Sequence, residues 1–275
     1  MTASRPAFVH ALAKGLEILS AFAEGELLGN QQLVERTGLP KATVSRLTST
    51  LVDLGYLRLD AASRRYAVGT RLLGLGASVQ RRIGLFGVAR PHMQALSREI
   101  GLTVSLGTRD RLGITVLEVQ RPPTLTQLVT NIDVGTVLPL PTTALGLAWL
   151  AAAPAAERAQ VLAGLARRDP AAWPQWREAV ERAVGELARQ GFVTAQRSWG
   201  RDVNGVGVPL LLRERRALYA FHCAGPSASM PGPLMRRELG PRLLAMVGEV
   251  QQALREVALP RVLPPERHDP GPDAA

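Results

Sequence analysis

Two short helical patterns, broken at Thr37-Gly38 and restarted at Pro40, constrain this chain more than any other feature in it. They lie in NQQLVERTGLPKATVSRLTSTLVDLGYL, residues 30–57. Gly38 suits the left-handed residue that ends one helix, and Pro40 suits the first turn of the next, where its missing N–H would have no partner anyway. From there Val44, Leu47, Leu51 and Leu54 recur at three- and four-residue spacing as one apolar stripe. Lys41, Ala42, Thr43, Ser45, Arg46 and Ser49 fall largely outside it. A second helix carrying Lys, Thr, Ser and Arg near its start is what the major groove of DNA requires, because base edges and phosphates need short polar groups and cations there. The same pattern also fits an ordinary solvated helical hairpin, so the flanks decide between the two.

Upstream, Leu12, Leu16, Leu19 and Phe22 form another helical stripe, which predicts a third helix to close a small core. Downstream, residues 56–60 and 65–68 read as two short strands joined by a polar turn at 61–64, a wing. Arg58, Arg64 and Arg65 on or beside it could reach phosphates or a narrow minor groove; each taken singly is equally a solvated arginine of a basic protein.

Across residues 8–76 the runs LAKGLEILSAFAEGE, LVERTGLPKATVSRLTSTLVDLGYL and RRYAVGTRLLGLG resemble the winged helix-turn-helix of the isocitrate lyase regulator (IclR) family of bacterial transcription factors. The resemblance continues more weakly to about residue 256. It implies an α+β protein divided into a winged helix-turn-helix DNA-binding domain at 1–69, a linker helix at 70–84 and an effector-binding and oligomerisation domain at 85–259. That last domain is expected to be GAF-like with a mixed sheet, and residues 260–275, rich in Pro and polar groups, to be a disordered tail. The resemblance also implies that Leu72, Leu73 and Leu75 help the linker to dimerise.

Composition agrees with this plan. A chain of 275 residues allows two domains, each with its own core, and 46% hydrophobic with 20% charged residues belongs to a globular protein. Of the formal net charge of +10, half sits in residues 1–82, where 11 basic residues face 6 acidic ones. That density attracts polyanions without conferring sequence preference. The lone Cys223 excludes an intramolecular disulfide and any multi-thiolate metal site, and His10, His92, His222 and His268 lack ligand spacing, so no metal or cofactor is expected. The uncharged stretch 134–156 is roughly long enough to cross a bilayer, but Pro139, Pro141 and Pro154 confine any helix to about 142–153. With Glu17 inside the first apolar pattern, no signal peptide is expected either; the reading is a cytoplasmic protein without a membrane partner.

Beyond the linker, Phe86, Ala89, Met93, Leu96 and Ile100 make a helical stripe. Segments 103–108, 113–120 and 125–130 then read as strands, 142–153, 155–166 and 176–190 as helices, and 192–196, 206–212 and 218–223 as further strands. Residues 231–257 form a closing helix interrupted near Gly240-Pro241.

The resemblance fixes where an effector would sit. Relatives that bind small oxo-acids use backbone amides at the helix start that here reads PTTALGLAWLA, at Ala144, Leu145 and Gly146, a role suited to an anion. Where those relatives carry a cysteine this chain has Gly205, where they carry two serines it has His222 and Ala224, and an acidic residue expected near Ala195 is missing. Losing these side chains predicts a wider, less polar floor and a larger, flatter organic acid, aromatic ones included, with His222 donating to it. A satisfied core histidine is the competing reading of His222, and Trp199 is either a lid or a cover on the sheet edge.

No Gly-x-Ser-x-Gly elbow, phosphate loop, dinucleotide fingerprint or HExxH occurs, and a strand would point His222 and Cys223 to opposite faces, so no enzyme is expected. The expected partners are double-stranded operator DNA, near-palindromic if the protein is symmetric, a small organic acid, and further copies of the chain in a homodimer or homotetramer. A ligand-independent DNA-binding protein or co-regulator is the alternative.

Overall fold

The computed structural model describes residues 8–22, 26–123, 132–197, 202–212 and 217–256, with the backbone alone at 79–83. The expected strand at 125–130, Trp199 and the tail at 260–275 lie outside the described residues. The chain divides into two compact units, Met1–Arg81 and Arg82–Ala275.

In the first unit α1 (His10–Ser20), α2 (Asn30–Thr37) and α3 (Lys41–Asp53) precede a hairpin of β1 (Leu57–Leu59) and β2 (Tyr66–Val68). α2 ends as its sequence demands: Gly38 is left-handed with φ 67°, and its N–H donates to Val34 C=O at 2.8 Å. Pro40 is the residue before α3 rather than inside its first turn; its C=O accepts the N–H groups of Thr43 and Val44 at 2.8 and 3.0 Å. Ile18, Phe22, Leu33, Leu39, Val44, Leu51 and Leu57 make the core with Leu28, which pairs with Tyr66 in an antiparallel bridge that the sequence did not announce. The α1 stripe needs correcting. Leu12 is 62% exposed and Leu16 55%, and Ile18, which lay off the expected stripe, is the wholly buried residue, because only the C-terminal end of α1 reaches the core. Leu54 is also exposed; on α3 the buried set is Val44, Thr48 and Leu51, with the Thr48 hydroxyl donating to Val44 C=O at 2.9 Å.

α4 (Arg71–Ile83) follows, and Leu73 and Leu75 on it are exposed. Its start is fastened to the end of α3: Arg71 donates to Leu54 C=O at 2.7 Å and lies over the Tyr56 ring, 5.6 Å from its centroid.

The second unit is built on six strands, β3 (Thr103–Asp110), β4 (Gly113–Gln120), β5 (Val137–Pro139), β6 (Val193–Gln196), β7 (Val203–Leu212) and β8 (Ala217–Pro226), in the order β5-β4-β3-β8-β7-β6. Every described pairing is antiparallel, where a mixed sheet was expected. Alternation along β8 sends Tyr219, Phe221 and Cys223 to one face and Leu218, Ala220, His222 and Ala224 to the other. The first face is covered by α5 (Leu85–Ile100), whose expected stripe packs there, and by the C-terminal helices. Those helices are α9 (Gly232–Leu234) and α10 (Gly240–Glu256), separated by a π-helical turn at Met235–Leu239. The break falls just ahead of Pro241, which has no N–H to give to the preceding turn, and a Cβ on Gly240 would collide with the Phe192 ring.

The opposite face carries α6 (Ala144–Ala152), with α7 (Ala155–Arg168) and α8 (Trp173–Gln190) outside it. α6 is apolar on all sides because it is buried on all sides, from Ala144 to Ala151. Its start presses onto β7 so closely that a Cβ on Gly207 would collide with the Ala144 carbonyl oxygen. No helix among the described residues is long and apolar enough to cross a membrane.

Candidate nucleic-acid interface and effector cavity

The first site is the outer face of α3 with the wing. Val44, Thr48 and Leu51 take the inward face, which leaves Lys41, Ala42, Ser45, Arg46 and Ser49 exposed and Thr43 half-buried. Arg46 lies back along the helix, its Nε donating to Ala42 C=O at 3.4 Å. Arg58, Arg64 and Arg65 are exposed on the hairpin. The turn between its strands is held by Asp60, whose Oδ1 accepts both the Ser63 N–H and hydroxyl at 2.7 Å, and Arg64 takes the left-handed conformation with φ 56°. The Ser63 N–H, followed by its hydroxyl, holds the Asp60 carboxyl below the usual carboxylate range. All nine residues expected to meet DNA therefore sit on the surface of one unit, five cations among them and no carboxylate. Opposed to a polyphosphate, such a surface would release counterions and bind in a salt-dependent way.

The second site is a cavity in the other unit, between the start of α6 and the sheet. Ala144, Ala195, Gly205, His222 and Ala224 line it, five of the seven positions expected to meet an effector. The other two contribute no side chain to it: Leu145 is wholly buried, its side chain against Gly107 of β3, and Gly146 fits against the Leu140 backbone. The Gly146 N–H is also taken, donating to Thr143 Oγ1 at 3.1 Å as Thr143 caps the helix. Since the first bond of α6 runs from Leu147 N–H to Thr143 C=O, the amides of Ala144 and Leu145 are the ones left over at this helix start. Thr142, Thr143 and Asn204 complete the polar lining, and Ile132, Leu138 and Val203 the apolar lining. Nothing in the sequence flagged Asn204. Its amide is committed, donating to Met230 C=O at 2.9 Å and accepting the Arg197 N–H at 2.8 Å.

The cavity as formed is small. The cavity volume is about 20 Å3, room for roughly one water molecule. Gly205 leaves little gap, since a Cβ there would lie 3.1 Å from the Ala144 Cβ. His222 is 3% exposed, and neither ring nitrogen has a hydrogen-bond partner among the described residues. Burial pushes its pKa down to about 4, so the ring is neutral near pH 7. Its cross-strand neighbour on β3, Ser105, is buried with an equally unpartnered hydroxyl. Cys223 faces away, and burial pushes its thiol up to about 12, so the two adjacent side chains form no nucleophile and base. No group of three or more metal-ligating side chains occurs among the described residues.

A winged helix-turn-helix unit joined to a separate antiparallel-sheet unit with a cavity under a helix start is the plan of a one-component transcriptional regulator. Residues 11–61 match the IclR helix-turn-helix domain, and residues 77–252 match the bacterial transcriptional regulator IclR C-terminal domain. The chain belongs to the IclR family of DNA-binding transcriptional regulators, a non-enzymatic family. It is 57% identical, over 94% of its length and 93% of the relative's, to the HTH-type transcriptional regulator TsaQ1/TsaQ2 of Comamonas testosteroni. Among solved structures it resembles an IclR family transcriptional regulator from Brucella abortus, with a TM-score of 0.76 and 39% identity, covering 90% of this chain and 94% of that one. An IclR homolog from Microbacterium hydrocarbonoxydans, complexed with 4-hydroxybenzoate, shares the fold with a TM-score of 0.71 at 21% identity, covering 90% and 100% of the two chains.

Proposed function

We propose that this regulator grips operator DNA through α3 and the wing and that a small organic acid, held in the cavity below α6, sets its operator affinity. The single observation that carries the effector half is His222: a buried polar ring, unpartnered among the described residues, in a cavity lined also by the start of α6. An unmade buried hydrogen bond costs about 1–3 kcal/mol, and a carboxylate accepting from His222 and the Ala144 and Leu145 amides would recover it. The Microbacterium homolog's complex with 4-hydroxybenzoate makes an aromatic acid a candidate, although a ring enters this cavity only if its walls move apart.

On the DNA side, Lys41, Thr43, Ser45, Arg46 and Ser49, with Ala42 in van der Waals reach, would read the major groove, and Arg58, Arg64 and Arg65 would hold backbone or minor groove. Residues 1–69 act as the reading head, 70–84 as the linker and 85–259 as the sensor. A homodimer or homotetramer of such chains meets a near-palindromic site, and the effector acts only through its preference for one placement of the two heads. One observation favours a second reading, operator binding without a ligand: the cavity as formed admits about one water.

Thermal shifts of the full chain with benzoate, 4-hydroxybenzoate and glyoxylate, beside gel shifts on its own upstream DNA, separate the readings. Stabilisation by an acid together with altered DNA affinity supports the first. Specific, salt-sensitive DNA binding that no acid changes supports the second.

A further inference from the structure

The cavity holds a polar problem that a carboxylate alone does not solve. A neutral imidazole offers one N–H donor and one bare nitrogen, and a carboxylate only accepts. His222 has both nitrogens unpartnered, and the Ser105 hydroxyl, directly opposite on β3, is unpartnered as well. Among the described residues, an anion brought into this space also meets no opposite charge. From α6 and the residues before it come Thr142, Thr143 and Ala144, from β6 Ala195, from β7 Val203, Asn204 and Gly205, and from β8 Ala224. Apart from His222, none of these titrates or carries charge. The apolar remainder, Ile132 and Leu138, adds none. A buried, unpaired carboxylate is costly in such surroundings, and the partial charge of one helix start offsets only part of that cost.

We propose that an acidic effector enters this cavity together with one proton, taken from solvent onto the His222 imidazole, so that an imidazolium–carboxylate pair forms beneath the Ala144 and Leu145 amides. This rests on the effector reading of the cavity given above and adds to it a regulation by pH. The proton resolves each unpartnered atom at once. The imidazolium has two donors, one for the carboxylate and one directed toward Ser105, whose hydroxyl can accept. The pair is charge-neutral, which is the form in which an ion enters a dry site at least cost.

The sign of the pH dependence follows from the free ring's pKa of about 4. Below that value the ring is charged with or without ligand, and affinity does not vary through this group. Above it, binding must draw a proton, so effector affinity falls about tenfold for each pH unit of increase until the bound form's own pKa is passed. A cavity that used a neutral His222 would show no such fall. A regulator built this way reports the acid and the acidity together, and answers the same effector concentration more strongly as pH drops.

The test is isothermal calorimetry of the full chain with benzoate and, in parallel, with glyoxylate, between pH 5.5 and 7.5 in pairs of buffers of different protonation enthalpy. The expected result is uptake of close to one proton per site and an affinity that falls as pH rises; the variant His222→Gln should bind the same acid more weakly, with no uptake and no pH trend. Binding without proton uptake overturns the proton coupling while leaving the effector cavity standing. Uptake that persists in His222→Gln overturns the assignment to this ring, because the ligand itself would then carry the proton. Failure of both acids to bind wild-type protein at every one of these pH values overturns both the coupling and the cavity reading. The wild-type measurement decides the coupling even where the variant does not fold.

Discussion

Two helices of this chain begin in opposite surroundings. At the start of α3, Lys41, Ala42, Ser45 and Arg46 are exposed behind Pro40. At the start of α6, Ala144, Leu145 and Gly146 are buried behind Thr143, with no charged side chain among the described residues lining the space before them. Every helix start leaves amides without partners and favours negative charge. What differs is access. An open, cationic start suits a polyphosphate that approaches from solvent and keeps most of its water, whereas a buried, uncharged start suits a small anion that must shed its water and bring or find a countercharge. The same backbone physics thus serves two recognitions, and the side chains around it select which.

That contrast can be broken most forcefully by adding atoms at each start. Gly207→Val should destabilise the protein by about 3 kcal/mol or more in denaturant unfolding, because its Cβ would run into the Ala144 carbonyl oxygen and α6 cannot lift without uncovering the sheet. Next in size is the buried ring. With its pKa lowered to about 4 from an ordinary 6.5, His222 is neutral when folded while the unfolded chain takes up a proton below pH 6.5. Stability should therefore fall as pH drops from 6.5 to 4 and level off below, by roughly 3 kcal/mol over that window. In His222→Gln this part of the slope should vanish in urea titrations across pH.

On the open side, Lys41→Ala and Arg46→Ala should leave unfolding nearly unchanged and weaken operator binding by about 1–3 kcal/mol each. Arg58→Ala, Arg64→Ala and Arg65→Ala should each lower the slope of binding against salt by about 1 if they hold phosphates. The smallest effect is the matched control for Gly207: Ala42→Val, a larger side chain at an exposed helix start, should change stability by no more than about 0.5 kcal/mol.

The two starts also differ in how well the sequence displayed them. α3 was legible because punctuation surrounds it: Gly38 can adopt a positive φ, Pro40 cannot continue the preceding helix, and apolar spacing marks the inward face. The stripe on α1 misled because periodicity shows which residues share a face and not whether anything covers it; Leu12 and Leu16 keep the spacing and lie exposed. β5 was missed because Val137–Pro139 is only three residues long and ends in a residue that cannot donate to the ladder. β7 and β8 run longer than read, since Val203-Asn204-Gly205 and Gly225-Pro226 lack strand composition yet pair in register. At the cavity, resemblance located five lining residues, but the space around them could not be read from the missing side chains. A sequence reports which atoms Gly205 lacks; it does not report that the Ala144 Cβ lies close against that position. Thr143 as cap, which engages the Gly146 amide and leaves those of Ala144 and Leu145, emerged only with the backbone in place.

The division of labour between the two starts can be measured directly by fluorescence anisotropy of the gene's own upstream DNA, titrated with wild-type protein and with the Lys41→Ala, Arg46→Ala double variant across a salt series, at equal thermal stability. The double variant should bind at least about tenfold more weakly, with a shallower dependence on salt. Equal affinities and equal salt slopes for the two proteins would contradict the assignment of DNA recognition to the exposed start of α3.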